Sequence, residues 1–203
     1  MNPTTEHQGL ELSIVVPLYN EEESLPELVD QIKRALPSRS FELIFVDDGS
    51  TDASWNIIEQ LVKANNQIKG ISLGVNQGKS YALQAGFNEI HGQYVVTMDA
   101  DLQDDPAEIE QMIRTLESGY DLVSGWKKER FDPVSKTIPS KFFNWVTRRA
   151  AGIHLHDFNC GLKAYRADVL THIQLYGELH RYIPLLAKRA GFGRITEQVV
   201  QHR

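Results

Sequence analysis

An α/β fold with a mostly parallel sheet flanked by helices is what this 203-residue chain predicts. Three observations carry the prediction. Short apolar runs alternate with stretches of helical period along the chain, the order that builds parallel sheets. Each apolar run ends in polar or acidic residues, as strands do when they stop at a shared edge. The composition, 41% hydrophobic and 24% charged, is that of one globular domain with a sizeable core.

The strands are expected at Leu12–Val16, Phe41–Val46, Ile68–Leu73, Tyr94–Met98 and Leu122–Ser124. After the first, Ser24 followed by Glu27 reads as a capping box ahead of Leu28, Val29, Ile32 and Leu36 at helical spacing. A second helix starts near Ser50 to Asp52 and carries Trp55, Ile58, Leu61 and Val62 on one face. The third runs from Lys79 to about Ile90, and the fourth begins at Pro106 with Ile109, Ile113 and Leu116 facing inward. These stripes read as core. One long segment, Trp126 to Pro139, has no regular pattern, and long loops in compact domains are often functional. No repeat or low-complexity linker divides the chain, so 1–203 reads as a single domain.

A formal net charge of −6 argues against a nucleic-acid binder that works by bulk electrostatics, which needs a basic surface. The one cysteine, Cys160, excludes an internal disulfide and a cysteine-rich zinc site and fits a reducing compartment. The first nine residues are polar, unlike a signal peptide, and no apolar run approaches the roughly 20 residues of a membrane span. The expectation is a cytoplasmic domain.

In open parallel sheets, ligands sit beyond the carboxyl ends of the strands. Those ends read Pro17-Leu18-Tyr19-Asn20-Glu21, then Asp47-Asp48-Gly49-Ser50-Thr51-Asp52, then Asn76-Gln77-Gly78-Lys79, and finally Asp99-Ala100-Asp101-Leu102-Gln103-Asp104-Asp105-Pro106. Singly, each has a turn or cap explanation. Jointly they make an acidic and aromatic crevice with one lysine. Asp99, Asp101 and Gln103 alternate by two, which in an extended segment puts three oxygen donors on one side. Such hard donors suit Mg²⁺ or Mn²⁺, which keep positions open for phosphate oxygens.

These stretches, with Ala85-Gly86-Phe87, resemble the family 2 glycosyltransferases of the GT-A fold, a Rossmann-like architecture. Ser124 to Arg130, Asp157 to Lys163 and Glu178 to Pro184 look like the branch that glycosylates polyprenyl phosphates, which includes dolichol-phosphate mannose synthases and bacterial undecaprenyl-phosphate glucosyltransferases. The resemblance implies an inverting transferase moving a hexose from a nucleotide sugar, with UDP favoured over GDP, to undecaprenyl or dolichyl phosphate. Pro17, Tyr19 and Glu21 would line the nucleoside pocket, and Asp48, with Asp47, would accept from the base. Lys79 would contact base or diphosphate, or stay solvated. Asp99, Asp101 and Gln103 would hold the divalent ion, and Asp101 would share in catalysis.

On the acceptor side, Lys127, Lys128, Arg130 and Lys136 lie in the irregular segment, followed by Lys141, Arg148 and Arg149 on an aromatic-bearing helix. Lys128, Arg130 and Lys136 are expected to hold the acceptor phosphate, Arg130 also acting in catalysis. Asp157 is implied as a catalytic base. A phosphate monoester, with its second pKa near about 6, attacks as an anion and has little need of one. Asp157 as base or as orienting group stays open. His154 and His156 invite a weaker reading as zinc ligands, and His180 and Arg181 as further acceptor or diphosphate contacts. The resembled branch usually continues through a basic stretch and often two membrane helices after the point where this sequence stops at Arg203, which suggests either a catalytic domain without its membrane segment, working at the inner face of a membrane, or a soluble relative. Whether it forms homo-oligomers stays open.

Three other functions compete with this reading. A hydroxyl-acceptor relative within the same family would need Asp157 as a true base. A receiver-like signalling domain would explain the acidic pair and lysine but not Asp101, Gln103 or the basic segment. A catalytically silent binding domain would have no use for the intact acidic ligands. No G-x-G-x-x-G follows the first strand, and there is no P-loop.

Overall fold

A computed structural model describes residues 9–128, 152–153 and 155–201. The described elements run β1 (Leu12–Leu18), α1 (Leu25–Ala35), β2 (Phe41–Asp47), α2 (Ser54–Ala64), β3 (Ile68–Ser72), α3 (Lys79–Phe87), β4 (Tyr94–Thr97), α4 (Glu108–Glu117), β5 (Leu122–Trp126), β6 (Lys163–Arg166), α5 (Ala167–Thr171), a 3₁₀ turn (Leu179–Tyr182), α6 (Ile183–Arg189) and β7 (Ile195–Val199). They form a seven-stranded sheet in the order β3-β2-β1-β4-β6-β5-β7.

Strands β1 to β4 are mutually parallel, with Leu12 level with Phe41 on one side and Tyr94 on the other. β1 and β2 are buried along their whole length, as near-continuous apolar runs in a doubly covered sheet should be. The pleat divides them. Leu12, Ile14, Val16 and Leu18 meet Leu25, Leu28, Ile32, Ile58, Ile109, Met112 and Ile113 of α1, α2 and α4. On the opposite face Val15, Ile44 and Val46 meet Ala82, Leu83 and Phe87 of α3, continuing to Tyr165, Val169 and Ile183. α3 lies close because Gly86 has no side chain: a Cβ there would collide with Val15 Cγ1.

The sheet departs from an all-parallel one. β6 runs antiparallel to both β4 and β5, pairing Lys163 with Thr97 and with Ser124. Its amino end therefore arrives at the edge where β1 to β4 finish, and this delivers residues 157–163 to the site. Periodicity missed β6 because its four residues, Lys-Ala-Tyr-Arg, show no clean alternation.

Two local expectations fail. Ser24 makes no capping bond; its backbone is already helical (φ −87°, ψ −27°) and its Oγ turns back to donate to the Glu21 carbonyl at 3.0 Å. Glu27 instead meets Gln31 and Arg34 on the helix surface. The second helix starts at Ser54 and not near residues 50–52, because Ser50 and Asp52 are drawn into hydrogen bonds that tie their loop to the one after β1.

A candidate nucleotide-sugar site at the carboxyl edge of the sheet

Because β1, β2 and β4 are parallel and in register, Pro17–Glu21, Asp48 and Met98–Asp101 leave the sheet side by side. The loops after β1 and β2 are joined by reciprocal hydrogen bonds. Asn20 N–H donates to Ser50 Oγ, Thr51 N–H to Asn20 Oδ1 at 2.8 Å, Glu21 N–H to Ser54 Oγ, Glu22 N–H to Asp52 Oδ2, and Ala53 N–H to Glu22 Oε2 at 2.6 Å. Asn20 takes a left-handed φ of 57°, which asparagine tolerates better than most residues. The polar residues of both motifs are thus largely spent on rigidity, and Tyr19 is left exposed at the mouth.

Asp47 and Asp48 divide similarly. Asp47 Oδ1 accepts from Ser50 N–H at 2.9 Å and closes its own turn. Asp48 uses both oxygens on the loop before α3, accepting from Gln77 N–H at 2.7 Å and Gly78 N–H at 2.8 Å. It still lines the cleft with Pro17, Tyr19, Glu21, Lys79, Asp99 and Asp101. That cleft encloses about 380 Å³. Asp48 thus positions Gly78 and Lys79 as well as facing any ligand.

Lys79, at the start of α3, forms an ion pair with Asp99. Burial alone pushes the Asp99 carboxyl up, but the ammonium of Lys79, with Lys127 and Lys163 beyond it, holds it below the usual carboxylate range. Glu21 goes the other way, raised first by burial and further by the charges of Asp101, Asp52 and Asp99. A carboxylate raised by other carboxylates marks a place where a cation would be stabilised.

The Asp99–Gln103 segment is not the extended run the alternation suggested. β4 ends at Thr97, and Leu102 adopts φ 62° while packing on the core. Asp99 and Asp101 reach the cleft together; Gln103 lines neither it nor the pocket below, and its N–H donates to Asp101 Oδ1 at 3.1 Å. Among the described residues no three His, Cys, Asp or Glu side chains converge on one point. A cation here would take one or two carboxylates and complete its shell with ligand oxygens, which is the habit of Mg²⁺ and Mn²⁺. The donor set fits such an ion.

Lys127 is not part of an acceptor patch. Its Nζ lies 2.9 Å from Asp104 Oδ1, and both side chains are largely buried. Burial alone would lower the Lys127 ammonium, but Asp104 outweighs it and holds the pKa above the ordinary lysine range. The pair ties the end of β5 to the acidic loop. Lys128 is exposed. Arg130, Lys136, Lys141, Arg148, Arg149 and His154 lie outside the described residues. His156 is engaged by Glu197 and stacks on Trp126 with centroids 4.1 Å apart, which accounts for it without zinc.

Asp157 is buried, and its Oδ1 accepts from Asn159 N–H at 2.9 Å. Asn159 to Gly161 then line a smaller pocket beneath the cleft, with Lys79, Asp99, Lys163, His180 and Arg181. Ser80, fully buried on α3, accepts the His180 backbone N–H at 3.0 Å and lies 3.0 Å from Nδ1. The Ser80 hydroxyl thus holds both the backbone and the ring of His180 in place. Burial, then Lys79, push His180 down to about 4, so it is neutral near pH 7 and brings no charge to a diphosphate. His180, read from sequence as a candidate contact, does line this pocket, whereas its partner Ser80, the Asp104–Lys127 pair and Lys163 are site-edge features that motif reading passed over. Of those passed over, Lys163 carried a signal, as a lone lysine in the mostly apolar stretch Cys160–Tyr165.

Gly161 sets how deep Asp99 can sit. A Cβ on it would lie 2.5 Å from Asp99 Oδ2. Gly161→Ala is expected to displace that carboxylate and lower Mn²⁺-dependent nucleotide-sugar affinity about tenfold or more, equivalent to about 1.4 kcal/mol, with little change in melting temperature. Calorimetric titration with UDP-glucose checks this; unchanged affinity would show that Asp99 is not needed where it stands.

The family model for glycosyl transferase family 2 matches residues 13–173. The chain is 41% identical over 201 residues to a dodecaprenyl-phosphate galacturonate synthase of Rhizobium johnstonii, an alignment covering 96% of this chain and 60% of that protein. It is 39% identical over 194 residues to an undecaprenyl-phosphate 4-deoxy-4-formamido-L-arabinose transferase of Shewanella sediminis, covering 94% and 58%. The chain therefore spans about 60% of the length of these curated relatives. Among solved structures, a glucosyl-3-phosphoglycerate synthase of Mycobacterium tuberculosis in complex with uridine diphosphate superposes with a TM-score of 0.70 at 25% identity, covering 96% of this chain and 73% of that one. A mannosyltransferase of Pyrobaculum calidifontis in complex with GDP-mannose and Mn²⁺ superposes at 0.71 with 19% identity, covering 97% and 57%, a likeness of fold. Among the described residues no helix is long and apolar enough to cross a membrane. The GT-A architecture, the strand-end motifs and the match over most of the sequence agree: the chain belongs to glycosyl transferase family 2.

Proposed function

We propose that this chain is the catalytic part of an inverting glycosyltransferase that moves a hexose from a UDP-sugar to a polyprenyl phosphate at the cytoplasmic face of a membrane. The observation that carries the donor half is the cleft in which Tyr19, Glu21, Asp48 and Lys79 stand beside Asp99 and Asp101. Tyr19 offers a flat face to a base, and Glu21 and Asp48 offer acceptors to base or ribose donors. The acceptor half rests on the two polyprenyl-phosphate relatives and on the basic residues Lys128, Arg130 and Lys136.

A divalent ion held by Asp99 and Asp101 would neutralise charge on the departing nucleoside diphosphate. The protein's own share is to orient. Lys79 counters diphosphate charge and fixes Asp99; Lys127 and Asp104 brace the acidic loop; Asp48 holds the turn that starts α3. Of the candidate site carboxylates, Asp157 alone stands outside the nucleotide and metal groups, and it is buried, so a double displacement through a glycosyl-enzyme would have little to use as nucleophile. Direct attack with inversion follows, and an α-linked donor should yield a β-linked lipid phosphate.

The test incubates the protein with Mn²⁺ and UDP-glucose, UDP-galactose, UDP-galacturonate, UDP-N-acetylglucosamine or GDP-mannose, offering a short-chain prenyl phosphate, the matching prenol and free sugars. Expected is one β-linked prenyl phosphate product, lost in EDTA. An α-linked product in the NMR spectrum refutes inversion, and preference for prenol or free sugar refutes the phosphate acceptor.

A further inference from the structure

The pocket beneath the donor cleft contains a lysine whose placement the donor reading does not explain. Lys163, on β6, is 4% exposed, and among the described residues its ammonium has one hydrogen-bond partner, the Cys160 carbonyl. An ammonium has three donors. No carboxylate of the described residues lies within ion-pairing distance of it, whereas Lys79, Lys127 and Arg194 all have one. Burial lowers its pKa, and the more distant charges of Asp157 and Asp99 do not offset that. A buried cation without a paired anion destabilises a fold. Its geometry is nonetheless well defined, because β6 is paired on both sides, Lys163 to Thr97 and to Ser124.

The walls of the pocket add two more basic groups, each of them already paired, Lys79 with Asp99 and Arg181 with Glu178. Lys79 and Arg181 line it with Lys163, and the uncharged ring of His180 completes the wall. Asp99 is the acid present, and it is already matched by Lys79. The pocket shares Pro17, Lys79 and Asp99 with the outer cleft, whereas Tyr19 and Asp48 line the cleft alone. At about 20 Å³ it has room for a single oxygen and not for a sugar ring, so with a nucleotide in the outer cleft only an anionic oxygen of donor or acceptor would enter it.

We infer that Lys163 is the floor of an oxyanion subsite, and that an anionic oxygen of a substrate supplies the counter-charge that no described residue provides. This rests on the proposed donor site. Two groups have the required chemistry: a carboxylate on the transferred sugar, as in a uronic acid, and the phosphate of the lipid acceptor.

The experiment compares wild type with Lys163→Met, which keeps the length of the side chain and removes its charge, and with Lys163→Arg, which restores charge. Melting temperature is read for all three, with binding of UDP, UDP-glucose, UDP-glucuronate, farnesyl phosphate and farnesol. Lys163→Met should melt no lower than wild type, bind UDP and UDP-glucose within about twofold of wild type, and lose about tenfold or more for at least one anionic probe, a differential worth about one decade of binding constant. Loss confined to UDP-glucuronate assigns a sugar carboxylate, and loss confined to farnesyl phosphate assigns the acceptor. Lys163→Arg should recover part of either. Equal affinities for both anionic probes in wild type and Lys163→Met, or a uniform loss for every ligand with a lower melting temperature, would overturn the inference and make Lys163 structural. The farnesyl phosphate arm needs no nucleotide, so failure of wild type to bind UDP would count against the donor site and leave that arm to decide on Lys163.

Discussion

Asp101→Asn is expected to bind UDP-glucose in Mn²⁺ hardly better than wild type binds it in EDTA. The substitution removes one of two carboxylates that would face the cation, and the loss should be about 2–4 kcal/mol, or about 30- to 1,000-fold in affinity. Stability should barely move, because the Asp101 side chain is exposed and the hydrogen bond it accepts from the Gln103 N–H is within reach of an asparagine oxygen. Glu21 supplies an internal control. Its carboxyl is raised partly by Asp101 and Asp99, so Glu21→Gln removes negative charge without removing a primary ligand and should cost less than Asp101→Asn. Isothermal titration with and without EDTA decides the matter. Donor affinity in Asp101→Asn equal to that of wild type in Mn²⁺ would remove the metal from the proposal.

On the acceptor side, Arg130→Ala should lose about 1.5–3 kcal/mol of charge-assisted hydrogen bonding, read as poorer use of prenyl phosphate with donor binding intact. Asp157→Asn should then slow transfer by less than the roughly 10²–10⁴-fold that follows loss of an essential general base. The reason lies in the nucleophile: a phosphate monoester ionised at neutral pH has no proton to surrender. The asparagine can still accept the Asn159 N–H, so the loop that leads to Gly161 should keep its course. With a hydroxyl acceptor both expectations reverse. Steady-state rates with prenyl phosphate and prenol for each variant separate the two; intact phosphate use in Arg130→Ala would end the role given to the basic segment.

Strand positions were legible because their signal is local. Leu12–Leu18 and Phe41–Asp47 are apolar runs that end in polar turns, and a chain carrying several of these between amphipathic helices has few ways to fold other than a covered parallel sheet. The reversal at β6 was not legible. It is set by pairing with Thr97 and Ser124, and four residues carry too little pattern to announce a direction. The capping box misled for a related reason: Ser-x-x-Glu is compatible with a cap, but Glu21 lies within reach of the Ser24 hydroxyl and takes it.

The residues that carry charge divide along the same line. Sequence by itself carried the family resemblance, and the residue types at the strand ends placed an acidic and aromatic candidate site at one edge of the sheet. Only the tertiary structure decided what each charge is free to do, because a charge is committed by whatever partner the fold brings against it. Asp48 is drawn to the loop before α3 and Lys127 to Asp104, while Ser80 meets His180 across 100 residues of sequence. Lys163, embedded in a paired strand, meets no ion-pairing anion among the described residues, and an unmatched buried charge is visible only when its neighbours are in place.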